Sequence, residues 1–228
     1  MDITSYLLGK NADGGGSNLQ TKSVAITENT TTNITPDVGY DGLSSVSVTT
    51  NVSGNYNVKV ITTTNMGNND GIKRYIEDVV LDLTGTKDIS SLFGGCSNLR
   101  NVTLLNTSSL TTMYYTFGNC VKNYLNITLF DTSNVTNFNS TFSGSAIQTI
   151  PQFNTSSATS MNNMFKNAAY LTDSSLNNVL LMCINATSYN DEKTLAKLGF
   201  TSANYPVSRI QALPNYQDFI NAGWTIGY

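Results

Sequence analysis

Phe93, Phe117, Phe142 and Phe165 stand 24, 25 and 23 residues apart, and a fixed period of that length constrains a fold more than any local propensity. The surroundings of each Phe recur with it. Four residues earlier lie Ile89, Met113, Phe138 and Met161; three residues later lie Cys96, Cys120, Ser145 and Ala168, all small. Farther along, a polar turn closes each of the first three units: Asn106-Thr107-Ser108, Asp131-Thr132-Ser133 and Asn154-Thr155-Ser156. Between Phe and turn, Val102-Thr103-Leu104, Ile127-Thr128-Leu129-Phe130 and Ile150-Pro151-Gln152-Phe153 read as short strands. The Thr-Ser pair then offers an N-cap for the apolar i, i+3, i+4, i+7 stretch that leads to the next Phe.

A unit so read is a strand, a polar turn and one or two turns of helix, too small to bury its own apolar face. Stacking must supply the core. The stretch from Lys87 to Leu171 is therefore predicted to be a solenoid of about four coils of roughly 24 residues. Its repeat core is Phe93, Phe117, Phe142 and Phe165, with Ile89, Met113, Phe138 and Met161, and with Cys96 and Cys120 among the small residues.

The repeat fades after Leu171, and residues 173–228 are predicted to form a helical C-terminal cap. Ser174 or Ser175 is placed to cap a helix carrying Leu176, Val179, Leu180 and Cys183 on one face. Glu192 to Leu198, ending at Gly199, Pro206 to Leu213, and Tyr216 to Ala222 are further predicted helices, with Trp224 and Tyr228 covering the last coil. Upstream the grammar changes: Val24 and Ile26 alternate with polar residues, as do Val46 and Val48, with turn signals at Glu28-Asn29-Thr30 and Pro36-Asp37-Val38-Gly39. Residues 19–54 thus read as a small all-β module and 55–172 as the repeats with their lead-in.

In front of the module, residues 11–18 form a Gly-rich tether behind the peptide 1–10. Ile3, Tyr6 and Leu7 share a helical face and, with Leu8, make an apolar anchor too short to hold a helix alone. Two readings stand side by side, a docking peptide for other proteins and an ordinary frayed terminus.

Histidine is absent from all 228 residues, which removes the commonest general base, the commonest metal ligand and every imidazole triad. No catalytic residue, metal ligand or cofactor site is assigned. A net charge of -3, with Lys and Arg scattered singly, provides no field for nucleic acid. No apolar run reaches membrane-spanning length, and the first residues lack a secretory pattern, so the chain is expected to be made and kept soluble in the cytoplasm, or to leave it by a route not written in these residues. Cys96 and Cys120 on adjacent coils would stand one strand spacing apart, which permits a disulfide, or would simply continue a ladder of small core residues. Tyr114, Tyr115 and Tyr124 are the candidate binding face, for sugar or for protein.

The phrases Phe130-Asp131-Thr132-Ser133-Asn134-Val135-Thr136-Asn137 and Met161-Asn162-Asn163-Met164-Phe165 resemble the repeat of BspA-like leucine-rich-repeat surface proteins, where F-D-T-S-x-V-T-x-M precedes M-F-x-x-C. Asn106 and Asn154 depart from its Asp, and the third and fourth units lack its Cys. Met1 to Lys10, the glycine tether, and Ile34-Thr35-Pro36-Asp37-Val38-Gly39-Tyr40-Asp41-Gly42-Leu43 resemble the front ends of virion proteins from phages and prophages of Gram-positive bacteria, over about residues 1 to 54.

These resemblances imply an α/β solenoid of leucine-rich-repeat type with its helical cap, β module and anchor peptide. They also imply a non-enzymatic structural or accessory virion protein of tail, baseplate or fibre-like kind, released by lysis. Residues 1–10 would join it to other virion proteins, and the repeats would face a host-surface glycan or protein, with no nucleic-acid or membrane partner. A cyclic homo-oligomer is compatible with that setting. A BspA-like adhesin on a bacterial surface and a capsid-decorating protein are the alternatives.

Overall fold

A computed structural model describes residues 19–26, 32–34, 46–48, 54–61, 76–121 and 125–228. Seven strands occur among them: β1 (Leu19–Ile26), β2 (Thr32–Ile34), β3 (Val46–Val48), β4 (Gly54–Ile61), β5 (Ile76–Asp82), β6 (Asn101–Leu105) and β7 (Asn126–Ile127). Five of them form one sheet in the order β1-β4-β5-β6-β7, and β2 pairs with β3 alone. The first two pairings in the large sheet are antiparallel, whereas β5-β6 and β6-β7 are parallel, with Val79 opposite Val102 and Val102 opposite Ile127. The strands of the expected small β module are thus shared between two sheets. β1 joins the sheet that runs into the repeats, because β4 pairs with it on one edge and with β5 on the other. The turns expected at Glu28 to Thr30 and Pro36 to Gly39 lie outside the described residues, as does the anchor peptide.

The repeats themselves require a correction. No α-helix occurs among the described residues before Asp173, and regular strand recurs only in β5, β6 and the two-residue β7. The strand expected at Ile150 to Phe153 is absent. An α/β solenoid of leucine-rich-repeat type, with strand and helix in every coil, is therefore not the architecture of this segment.

The backbone hydrogen bonds give the reason. An α-helix spends each N–H four residues back along its own chain. Here alternate N–H groups are spent elsewhere. Those of Ile89, Ser91, Phe93 and Gly95 donate to the carbonyls of Thr112, Tyr114, Thr116 and Gly118 in the following unit, at 2.8 to 3.1 Å. Those between them, of Leu92, Gly94 and Cys96, turn back three residues to Ile89, Ser91 and Phe93. Overlapping tight turns result, laid edge to edge.

The same alternation links the second unit to the third through Met113, Tyr115, Phe117 and Asn119, and the third to the fourth through Phe138, Ser140, Phe142 and Gly144. Each set of bends needs a left-handed residue, which no helix tolerates in series: Ser91, Tyr115, Ser140 and Asn163 have φ of 54° to 57°. Single parallel bridges, Asp88 to Thr112 to Asn137 to Ser160, mark the common register.

Side chains stack in the register that the bends impose. The rings of Phe93, Phe117, Phe142 and Phe165 lie nearly parallel, with centroids 5.4, 5.5 and 5.5 Å apart. All four are buried, as are Ile89, Met113, Phe138 and Met161, and the small row Cys96, Cys120, Ser145 and Ala168. Cys96 and Cys120 form no disulfide; the Cys120 thiol donates to the Phe93 carbonyl, and the Ser145 hydroxyl does the same to the Cys120 carbonyl, both at 3.2 Å.

The middle Thr of each polar turn is not the helix N-cap it was expected to be. Thr107, Thr132 and Thr155 are buried, and the hydroxyls of Thr132 and Thr155 donate to the carbonyls of Asn154 and Met182 in the next layer. The flanking Asp131 and Asn154 hold the turn, each accepting from the backbone N–H two residues on, and these bonds keep the Asp131 carboxyl below its usual range. Replacing Thr155 by Val keeps the volume but orphans the Met182 carbonyl, so about 1–3 kcal/mol of stability should be lost. Urea unfolding of T155V against the parent measures it.

The chain closes with α1 (Asp173–Asn185), α2 (Val207–Gln211) and α3 (Tyr216–Asn221). Thr172, rather than Ser174 or Ser175, caps α1, its hydroxyl accepting from the Ser175 N–H. Leu176, Val179, Leu180 and Cys183 face inward. The helix expected from Glu192 to Leu198 is instead a run of turns, whose Lys197 and Leu198 carbonyls accept from Asn163 and Phe165 and so continue the ladder. Trp224 is buried and stacks on Tyr189 at 5.3 Å. Arg209 clamps the cap, donating to Asp173 and to the Leu171 carbonyl.

Burial in this cap has a titration consequence. It pushes the Tyr189 phenol up to about 12, with Asp191 adding to the effect, and raises Tyr205, Tyr228 and the Cys183 thiol as well. Below the ordinary values, 9.0 for the thiol and 10.0 for the phenols, both folded and unfolded chains hold these protons. As pH rises through 10 toward 12 the unfolded chain releases them first, so stability falls. The urea midpoint, followed by the fluorescence of the single Trp, should stay level to pH 9 and decline steadily above it.

Candidate binding surface

The bends place two rows of side chains along the ladder outside the Phe stack. Ser90, Tyr114, Asn139 and Asn162 share one row, and Ser91, Tyr115, Ser140 and Asn163 the next, following the register of the bridges. Neither row contains an ionisable acid or base other than the two phenols. Tyr114 is 46% exposed and Tyr115 half-buried, with their rings 6.3 Å apart and tilted by 38°.

Tyr115 is held firmly. Its hydroxyl accepts a hydrogen bond from the Asn119 side-chain amide at 2.5 Å. Its ring lies so close over Gly94 and Gly118 that a Cβ there would come within 3.2 and 2.4 Å of it. Asn119 in turn uses the absence of a side chain at Gly144, where a Cβ would meet its amide oxygen. A bulky residue at φ of 54° is costly, and the other units put Ser91, Ser140 and Asn163 there. Tyr124 lies outside the described residues.

Toward the cap, the same rows run into a polar network. The Asn139 side-chain oxygen accepts from the Ser160 hydroxyl and the Asn162 N–H at 2.6 and 2.7 Å. The Asn162 side chain accepts from the Tyr189 hydroxyl and donates to Asp191, which also pairs with Lys197 at 3.2 Å. Backbone and side-chain donors, the Glu192 N–H first among them, hold the Asp191 carboxyl below its usual range. Sequence reasoning missed this network, because the bonds that Asn139 and Asn162 make in it span 21 to 29 residues and only the register brings their partners together.

Residues 87–194 match a family described as Mycoplasma protein of unknown function, DUF285. The matched segment is a little under half of the chain. It begins at the first bend set, spans the four units and α1, and ends at Thr194, just before the turns that cover the fourth unit. No curated protein and no solved structure matches the chain. Among the described residues, no group of three or more Cys, Asp or Glu is placed to hold a metal ion, and no helix is long and apolar enough to cross a membrane.

Proposed function

We propose that the chain is a non-enzymatic structural or accessory component of a phage virion, of tail, baseplate or fibre-like kind. In this reading residues 1–10, through Ile3, Tyr6, Leu7 and Leu8, join it to other virion proteins, and the ladder of bends is presented outward to a host-surface glycan or protein. The observation that carries the reading is the resemblance of residues 1 to 54 to the front ends of virion proteins of Gram-positive phages. The uncharged rows of the ladder support it, since they suit recognition. The protein would be made in the host cytoplasm and released with the particle by lysis.

The test is mass spectrometry of particles purified after lysis of the producing bacterium, with antibody labelling to place the chain. Its presence in stoichiometric amount, and its loss from particles when residues 1–17 are deleted, are the expected results; absence from purified particles rejects the reading. A second reading, a BspA-like adhesin of a bacterial surface, is favoured by the match of residues 87–194. Recovery in washed cell envelopes instead of particles would select it. Particles that contain the protein but adsorb equally well without it would mark a capsid-decorating role.

A further inference from the structure

Tyr114 and Tyr115 are departures from the repeat, and their surroundings narrow what they serve. Stacking does not require them: at the same two places the other units have Ser90 and Ser91, Asn139 and Ser140, and Asn162 and Asn163. Tyr115 nevertheless accepts a left-handed backbone, a conformation that is costly for a bulky residue and that stands at φ of 54° here. Two glycines, Gly94 and Gly118, give way to its ring, and Asn119 fixes its hydroxyl. Beside that fixed ring the Tyr114 ring stands 46% exposed.

We infer that Tyr114 and Tyr115 form a stacking platform for a neutral saccharide. A pyranose presents an apolar C–H face that lies on an aromatic ring, and a rim of hydroxyls that exchange hydrogen bonds with amides and alcohols. The platform offers both halves. The rings supply two aromatic faces, and that of Tyr115 is already held by Asn119, so less side-chain entropy is lost on binding. Ser90 and Asn139 flank Tyr114 in its row, and Ser91 and Ser140 flank Tyr115. No acid or base stands in either row to attract or repel a charged ligand, which points to a neutral sugar over an acidic one. An extended peptide fits less well: the N–H groups that could pair with it, those of Ser91, Phe93, Tyr115 and Phe117, are already spent between units.

The inference rests on the proposed outward display of the ladder but is tested apart from it. The full chain, with Y114A, Y115S and the control Y170A, would be run in affinity electrophoresis through gels containing mannan, dextran or a soluble β-glucan, and through gels containing hyaluronan. Tyr170 is 61% exposed and lies outside the platform, so its variant controls for loss of any surface phenol. The parent and Y170A should be retarded by at least one neutral polysaccharide and not by hyaluronan, with retardation at least tenfold weaker in Y114A. Near-ultraviolet circular dichroism should show Y114A folded, and Y115S gives a second variant at the same platform.

Equal retardation of all four proteins, retardation by hyaluronan alone, or none in any neutral gel overturns the inference. So does a protein ligand whose binding shows the same dependence on Tyr114 while the gels show none. Particle composition is measured independently. A chain present in particles that binds no neutral polysaccharide therefore leaves the virion reading standing and removes only the platform.

Discussion

Phe142→Ala should cost about 3–5 kcal/mol of folding stability, the range for emptying a fully buried aromatic site. Phe142 is 0% exposed and lies between two stacked rings, Phe117 and Phe165, each 5.5 Å away, with Phe153 at 6.1 Å on a third side. Its backbone is equally committed, since its N–H donates to Met164 and its carbonyl accepts from Ser145. The cavity cannot close by sliding one unit toward the next, because the hydrogen bonds between units fix their separation. A drop in the urea midpoint, without a change in slope, would register the loss. Phe142→Leu should recover more than half of it, whereas Leu129→Ala, at a side chain 59% exposed, should stay within about 0.5 kcal/mol of the parent. Equal effects at positions 142 and 129 would contradict the stacked core.

Gly199→Ala is expected to be almost as damaging, for a different reason. Gly199 has φ of +93°, and a Cβ placed on it would come within 2.6 Å of the backbone nitrogen and Cα of Lys166. Those atoms cannot swing aside as a side chain would. Beside them, Phe165 donates to the Leu198 carbonyl and Asn163 to that of Lys197, two of the bonds that seat the cap on the fourth unit. Backbone strain and overpacking together should cost about 3 kcal/mol or more.

Gly223→Ala separates the two contributions. Gly223 has a comparable φ of +84° but nothing within 4 Å of the Cβ site, so only the conformational part, about 1 kcal/mol, should appear. Trp224 fluorescence and urea unfolding of the two variants give the comparison. Similar midpoints for both would mean that the approach of Gly199 to Lys166 does not constrain the cap.

The limits of the sequence are clearest at the repeated Ile/Met/Phe to Phe spacing. An apolar pair four residues apart, such as Ile89 and Phe93, satisfies the facing rule of an α-helix. Overlapping three-residue turns return the same side chains to the same side, and both lie in the core here. What separates the two conformations is where the N–H groups go. The partner of Phe93 is Thr116, in another unit, and nothing local to residues 89–96 records it.

The left-handed residues could have given warning only in part. Gly95 and Gly144 are natural occupants of positive φ, and Asn119 and Asn167 tolerate it. Ser91 and Tyr115 do not advertise it. The polar turns mislead in the same way: Thr132 and Thr155 look like surface caps beside Asp131 and Asn154, but their hydroxyls reach a neighbouring layer.

The period, by contrast, was written in the residues. Phe93, Phe117, Phe142 and Phe165, with the small residues three places on, define rows that a repeat must stack, since no single unit buries enough apolar surface to stand alone. The inward face of α1 was equally legible from Leu176, Val179, Leu180 and Cys183 at helical spacing. The tertiary structure alone decided that the rows are joined by bends instead of helices, that β1 enters the sheet of the repeats, and that Asn139, Asn162, Tyr189 and Asp191 meet. Each of these depends on hydrogen bonds between residues more than twenty positions apart, and such pairings exist only once the units have been laid in register.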